Sequence, residues 1–566
     1  MSGRRTSEIV ESIRPPEILS QILQLAVGQD GIKTLLPLTH VNAQWRRAAL
    51  GDSSLWATIY LKHTTPPLLD MILAHAGNQL FTVYVDHRDI NRLAKLWKLV
   101  NRIEELHYFT RLTQLAPFLS SLGPAPNLNV LFLRPELAVG IGEQTPPISL
   151  PTIFSGCLPS LRDLTLTSMV TWPVGLFRGL VSFECGVLDH YPISPVHVLS
   201  VLRDSPSVTF LRLVGYTLPQ TQGFHLPTVT LPSLELCTLI GQGTTSMIQF
   251  LTVPASTRMF ISKPYTDEGA IFPKFDLLSA APNLRVLDGV SSVSFSIRDF
   301  AIQIQAKNIH GGVLDAEVDE LYDLSRDPVI FPQFIRSSFE CGRTCPGFKT
   351  TKTFTLDVDR SRMWEAEEAT CFALDVMGFI FNLTGIEEVT LRGVPSLELS
   401  SILKFLHSAA KFELPCPNLR RLHIVSTPIH SPQPLLERLS KLLAERKEAG
   451  APFQSVTVKV KCELLVPAAE HRAFLTSWAG LVEEGVSLEY EQTEVKKLPR
   501  CRRRNYEDED EEDEWDNEDE GEEDEDEGDE EEDDEGEEEE EDGTGDPDNG
   551  CVGWNGWPEN WPATVG

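Results

Sequence analysis

One apolar phrase recurs along most of this chain: Leu-x-x-Leu-x-Leu, usually introduced by Pro-Asn or Pro-Ser. It appears as Ile103-Glu-Glu-Leu106-His-Tyr108, Leu128-Asn-Val-Leu131-Phe-Leu133, Leu161-Arg-Asp-Leu164-Thr-Leu166 and Val208-Thr-Phe-Leu211-Arg-Leu213. It returns as Leu234-Glu-Leu-Cys237-Thr-Leu239, Leu284-Arg-Val-Leu287, Ile386-Glu-Glu-Val389-Thr-Leu391 and Leu419-Arg-Arg-Leu422-His-Ile424. The alternation inside each phrase predicts a short strand with one buried side. Several starts lie 25 to 33 residues apart, and gaps of 47 and 50 predict weaker units at Leu180-Val-Ser-Phe183-Glu-Cys185 and Met259-Phe-Ile261. Helical periods fall between phrases, as at 196–203 and 399–409, so each unit reads as a strand with a return. Such a unit cannot bury its apolar side alone, and stacked units must share a core. The stretch from Ser291 to Arg362 keeps the rhythm poorly and predicts an insertion or irregular units. The polar residues within the phrases, Arg162, Asp163, Thr165, Arg212, Glu387, Glu388, Thr390, Arg420, Arg421 and His423, would line an exposed face whose mixed charge suits a protein surface.

A different period governs residues 13–61. Pro15 and Pro16 are tolerated where a helix starts, because first-turn N–H groups have no intrahelical acceptor. Glu17 then suits the positive end of the helix dipole. Ile18, Leu19, Ile22, Leu23 and Leu25 follow at helical spacing, and Gly28 to Gly31 ends the segment. A second periodic stretch is predicted from Ile32 to Leu50, with Leu35, Leu38, Val41, Trp45 and Ala49 on one stripe. Gly51-Asp52-Ser53-Ser54 breaks it before the pair Leu55-Trp56. So short a segment cannot enclose two Trp and many aliphatics by itself, and its core is expected to be completed by a partner or the next domain.

Pro15-Pro16-Glu17-Ile18-Leu19, then Leu38-x-x-Val41-x-x-x-Trp45-Arg46, then Leu55-Trp56, resembles an F-box, in the version met in mushroom-type fungi. The resemblance implies docking onto the Skp-type adaptor, and through it a cullin, of an SCF (Skp–cullin–F-box) ubiquitin ligase. Position by position it implies Pro16, Leu19, Ile22, Val41, Trp45, Leu55 and Trp56 as adaptor contacts. Arg14 stands where the family usually has Leu, and Asn42 where Cys is common. The same residues could instead pack only internally, as the first helices of an all-α cap. The recurring phrases resemble degenerate leucine-rich repeats.

Charge divides the chain. Of its 83 acidic residues, 34 lie from Glu507 onward, where there is no Lys or Arg, so the preceding 506 residues hold 49 acids against 49 bases. A neutral body argues against direct nucleic-acid binding, which needs an excess of Lys and Arg. No apolar run reaches membrane-spanning length, and the N-terminus lacks a signal-peptide apolar region. The ten scattered cysteines read as free thiols, and the expected compartment is cytoplasm or nucleus. Residues 507–542 bury too little apolar area to offset ordering entropy and are expected to be disordered. They could hold basic proteins such as histones or serve only solubility. Lys496 to Arg504 is a basic cluster consistent with nuclear import or with charge compensation, and Trp554, Trp557 and Trp561 suit a docking motif or, equally, a return onto the protein's own body.

No phosphate-binding loop, HExxH or G-x-S-x-G is present. Cys341 and Cys345 have a spacing that zinc sites use, with no second ligand pair nearby. The expectation is an α/β protein with no catalytic residues, metal or cofactor: a disordered start (1–12), a helical module (13–61), a leucine-rich-repeat-like domain (62–495), and a basic cluster with an acidic tail (496–566). The resemblance makes it a substrate receptor of an SCF ligase with an unidentified protein substrate. A non-catalytic nuclear binding protein, akin to acidic-tailed histone chaperones, is the alternative.

Overall fold

Alternating phrases become strands because one side of each is apolar, and the strands align because those sides must be buried together. The computed structural model describes residues 16–27, 31–86, 96–111, 120–136, 149–169, 171–186, 195–215, 226–241, 247–264, 284–298, 301–319, 336, 339, 346–359, 366–408, 416–429, 433–463, 476, 479 and 486–493. The predictions for residues 1–12, for Cys341 and Cys345, and for the basic cluster, acidic run and terminal tryptophans lie outside the described residues.

The described residues build a mixed α/β structure with a mostly parallel sheet of seventeen strands. Strands β1 (Thr58–Tyr60), β2 (Phe81–Asp86), β3 (Ile103–Arg111), β4 (Val130–Glu136), β5 (Asp163–Thr167), β6 (Ser182–Gly186) and β7 (Phe210–Val214) pair in chain order, all parallel. Strand β8 (Val229–Thr230) pairs apart with β10 (Leu251–Thr252), while β9 (Leu236–Ile240) and β11 (Arg258–Pro264) continue the main sheet. Two inward rows run across these strands. Val83, Leu106, Leu131, Leu164, Phe183, Leu211, Cys237 and Met259 are successive register partners. Beside them run Val85, Tyr108, Leu133, Leu166, Cys185, Leu213, Leu239 and Ile261, and every member of both rows is buried. Both of the weaker predicted units, at 180–185 and 259–261, supply strands.

The arrhythmic stretch is a meander spliced into the sheet. Strands β12 (Val290–Arg298), β13 (Ile302–Asn308) and β14 (Val313–Asp319) pair antiparallel in sequence. β14 lies parallel against β11, and β12 lies parallel against β15 (Thr353–Asp359). The inward row passes through as Met259, Leu314, Ala306, Val293 and Phe354. Asn308 holds the β13–β14 turn. Its Nδ2 donates to the carbonyls of Ala255 (2.6 Å) and Val286 (2.9 Å), and its Oδ1 accepts from the backbone N–H groups of His310 and Gly312 (both 2.9 Å). The phrase Leu284–Leu287, expected as a strand, is instead a single 3-10 turn at Arg285–Leu287. Beyond the meander, β16 (Glu388–Arg392), β17 (Arg421–Ile429), β18 (Ser455–Glu463) and β19 (Val486–Thr493) resume parallel pairing.

Eight α-helices are present among the described residues: α1 (Pro16–Val27), α2 (Ile32–Thr39), α3 (Ala43–Gly51), α4 (Pro66–Ala76), α5 (Pro195–Arg203), α6 (Ala366–Asn382), α7 (Ser396–Ser408) and α8 (Gln433–Glu448). None is long and apolar enough to cross a membrane. The expected single stretch from Ile32 to Leu50 is two helices. Asn42, in extended conformation, interrupts it and accepts a hydrogen bond from the backbone N–H of Trp45 at 2.9 Å, capping α3. Buried side chains of α1, the sheet and α5 to α8 form one continuous core from Leu19 to Val458. The helical module thus completes its core against the following domain. The helices use the inward side of the sheet, and the outward side chains are half-buried or exposed.

Candidate functional site

Two surfaces stand out. The first is on the helical module. A helix with buried Leu19, Leu23 and Val27 at i, i+4 and i+8 needs no more apolar residues to hold its place, yet α1 carries a second stripe of Ile18, Ile22 and Leu25. Ile18 is 44% exposed and Leu25 84%, and Val41 (57%) and Leu50 (37%) are exposed at the two ends of α3. Of the residues implied as adaptor contacts, Val41 is exposed and Ile22 and Trp45 are half-buried. Leu19, Leu55 and Trp56 lie in the core. Trp56 donates its indole N–H to the Ala49 carbonyl at 2.7 Å and packs against His75 at 4.7 Å, which fixes it in place. The backbone of Pro16 starts α1. The resemblance thus mixes three core residues with the surface ones, and Ile18, Leu25 and Leu50 are the exposed positions it does not name.

Asp52 ties the module together. Its carboxylate accepts hydrogen bonds from Ser20 on α1, from Gln24 at 3.3 Å, and from the Ser54 backbone N–H at 3.0 Å and hydroxyl at 2.6 Å. Burial works to raise its pKa, but these hydrogen bonds outweigh it and hold the group below the usual carboxylate range. Gly31, between α1 and α2, has φ +53°, and a Cβ there would stand 2.7 Å from the Tyr60 ring. Only glycine lets the module sit this close to the start of the sheet.

The second surface is the outward side of the sheet, where the middle row of register partners reads Tyr60, Tyr84, His107, Phe132, Thr165, Glu184 and Arg212. Its first part is a stack of rings. Tyr60 and Tyr84 lie 4.4 Å apart at 6°, Tyr84 and His107 4.4 Å apart at 12°, and Phe132 follows His107 at 5.8 Å. Phe109, one outward position further along β3, packs on Phe132 at 5.2 Å. In the adjoining row stand Glu105 and Asp163. Glu105 meets the Nε2 of His107 at 3.5 Å, a contact that holds its carboxyl below the usual range against the opposing effect of burial. Burial and the nearby Glu105 push Asp163 up, and burial also raises Glu184 although Arg212 stands 3.5 Å away. Tyr84 is pushed up to about 12 by burial, Tyr60 and Glu105.

Toward the other end, beyond the meander, the outward charges pair with one another. Arg421 Nε meets Glu388 at 2.7 Å, with His423 at 3.8 Å from the same carboxylate. Lys352 meets Glu387 at 3.2 Å, and Arg392 meets Asp357 at 3.8 Å. Of the residues expected to line this face, Asp163, Thr165, Arg212, Glu388, Thr390, Arg421 and His423 sit on its strands. Arg162, Glu387 and Arg420 precede them, Arg162 bonding the Gly179 carbonyl at 2.9 Å. The stack of rings was not anticipated: β1 and β2 lack the leucine phrase, and although His107 and Phe132 hold the same place in the first two phrases, neither was named among the residues expected to line the face. Among the described residues no group of three or more His, Cys, Asp or Glu is placed to hold a metal. No protein-family model matches the chain, and no curated protein matches it.

Proposed function

We propose that this chain is a substrate receptor of an SCF-type ubiquitin ligase, with the helical module as an F-box that docks on a Skp-type adaptor and the sheet as a degenerate leucine-rich-repeat solenoid that holds a protein substrate. The observation that carries the reading is the second apolar stripe on α1. Exposed Ile18 and Leu25, with half-buried Ile22, form a stripe beside the core residues Leu19, Leu23 and Val27, and exposed Val41 and Leu50 stand just before α3 and in its last turn. A small module that shows water this much aliphatic surface is built to be covered. The parallel rows support the second half of the reading, since they give each strand the same inward pair and leave one long outward face for recognition. On this reading the chain positions a substrate and recruited subunits perform the transfer.

Co-purification of the full chain with a Skp-type adaptor tests the assignment. Wild type should retain the adaptor, and Leu25→Glu with Val41→Glu should lose it while keeping the wild-type melting temperature, because neither side chain belongs to the core. Failure of folded wild type to bind any such adaptor would overturn the receptor reading in favour of an acidic-tailed nuclear binding protein.

A further inference from the structure

Outward positions on an open sheet face are ordinarily polar, and rings placed there expose apolar area that water does not favour. Four of them in register, Tyr60, Tyr84, His107 and Phe132, cover the outward side of β1 to β4. Rings stacked face to face spend their π-faces on one another and leave their edges to a ligand, an apolar ledge along which the aliphatic stem of a lysine or arginine can lie. Three carboxylates lie beside them, with one exposed cation on the same face, Arg134, in register with Phe109. Glu105, Asp163 and Glu184 are half-buried on β3, β5 and β6. Among the described residues, Glu105 has no Lys or Arg partner, only His107 Nε2 at 3.5 Å, and Asp163 forms no ion pair. This differs from the far end of the same face, where Arg421, Lys352 and Arg392 each neutralise a carboxylate. Arg212 answers Glu184 at one edge, leaving the carboxylates nearest the rings short of positive charge. Adjacent strands stand about 4.8 Å apart, so the run from β1 to β6 extends about 24 Å, the reach of several extended residues rather than of a small molecule.

We propose that the outward face of β1 to β6 is the docking surface for an extended protein segment carrying lysine or arginine, whose aliphatic stems lie along the Tyr60–Tyr84 ring edges and whose cationic groups lie against Glu105 and Asp163. The proposal rests on the receptor reading for its biological role, and it names the chemistry of the segment that such a receptor would hold.

The test uses the full chain and a fluorescein-labelled twelve-residue peptide alternating Lys with Ser, bearing one benzophenone photocrosslinker. Because the acidic run could also attract such a peptide, the site of crosslinking is read by mass spectrometry of the digest. The expected result is crosslinking to segments 81–86, 103–111 and 130–136. Affinity should fall about tenfold, the worth of one or two packing or charge contacts, in both Tyr84→Ala and the near-isosteric pair Glu105→Gln with Asp163→Asn. Lys441→Ala, at an exposed position on α8, should leave binding unchanged. Crosslinking confined to residues 507–542, equal binding by the isosteric pair, or equal binding of a Glu-for-Lys peptide would overturn the proposal. Adaptor co-purification reads the receptor role separately. Peptide docking without adaptor binding would sink only that role, and adaptor binding without peptide docking would sink only this surface.

Discussion

Asp52 shows how much one side chain can organise. It joins α1 to the turn before Leu55 through Ser20, Gln24 and Ser54, and those hydrogen bonds favour its ionised form. A carboxyl whose folded pKa lies below its unfolded value adds stability that is fully present above the unfolded value, near 4, and is lost as pH falls through the folded value. Thermal melting of wild type and Asp52→Asn from pH 7 down to pH 3 should therefore show wild type ahead at neutral pH and the two converging in acid. The difference at neutral pH should be about 0.5–1 kcal/mol, the ordinary worth of a capping carboxylate at a partly exposed position. A gap that persists unchanged at pH 3 would mean that Asp52 acts by shape alone.

At the scale of the element, α1 separates stability from recognition on neighbouring stripes. Leu23→Ala should cost about 2–5 kcal/mol, because it opens a cavity in the shared core, whereas Leu25→Ala should change chemical-denaturation stability by no more than about 0.5 kcal/mol. Reversed magnitudes would show that the exposed stripe is a packing surface. The same contrast explains what was legible in the sequence. Helical spacing announced α1 and its end at Gly28 to Gly31, but spacing alone puts Ile18 and Leu19 in the same apolar class, and only the packed structure says which is covered. The leucine phrases announced β3 to β7, β9, β11 and β16 to β17, where Pro-Ser or Pro-Asn often marks the turn before the strand. They failed at Leu284–Leu287, where the same residue types make a 3-10 turn. They were silent about β1, β2 and the meander, whose strands alternate without the phrase. The aromatic row was hidden for a related reason. Tyr60, Tyr84, His107 and Phe132 are far apart in sequence, and no local pattern records that register will stack them.

For the whole molecule the governing feature is a single core shared by the helical module and the sheet, with buried thiols set along it. Cys185 and Cys237 occupy successive inward rows, and Cys416 lies beneath the turn before β17. Burial raises all three, Cys237 and Cys416 to about 12, so their thiolates are scarce in the folded protein. Maleimide labelling followed by peptide mass spectrometry should mark exposed Cys157 and Cys371 within minutes and leave these three unmodified until denaturant opens the core. Rapid labelling of Cys185 or Cys237 in native buffer would show that the middle of the sheet opens locally. The meander bears on how such a chain can change length. Three strands that run up, down and up replace one step of the sheet without reversing its direction, and both flanking strands keep the phase of their inward residues. An odd cassette of this kind can be gained or lost in descent while every later strand keeps its facing, whereas a two-stranded one would leave the following strand antiparallel. Lineages built on this plan are therefore free to vary the reach of the recognition face in whole cassettes while leaving its two ends as they were.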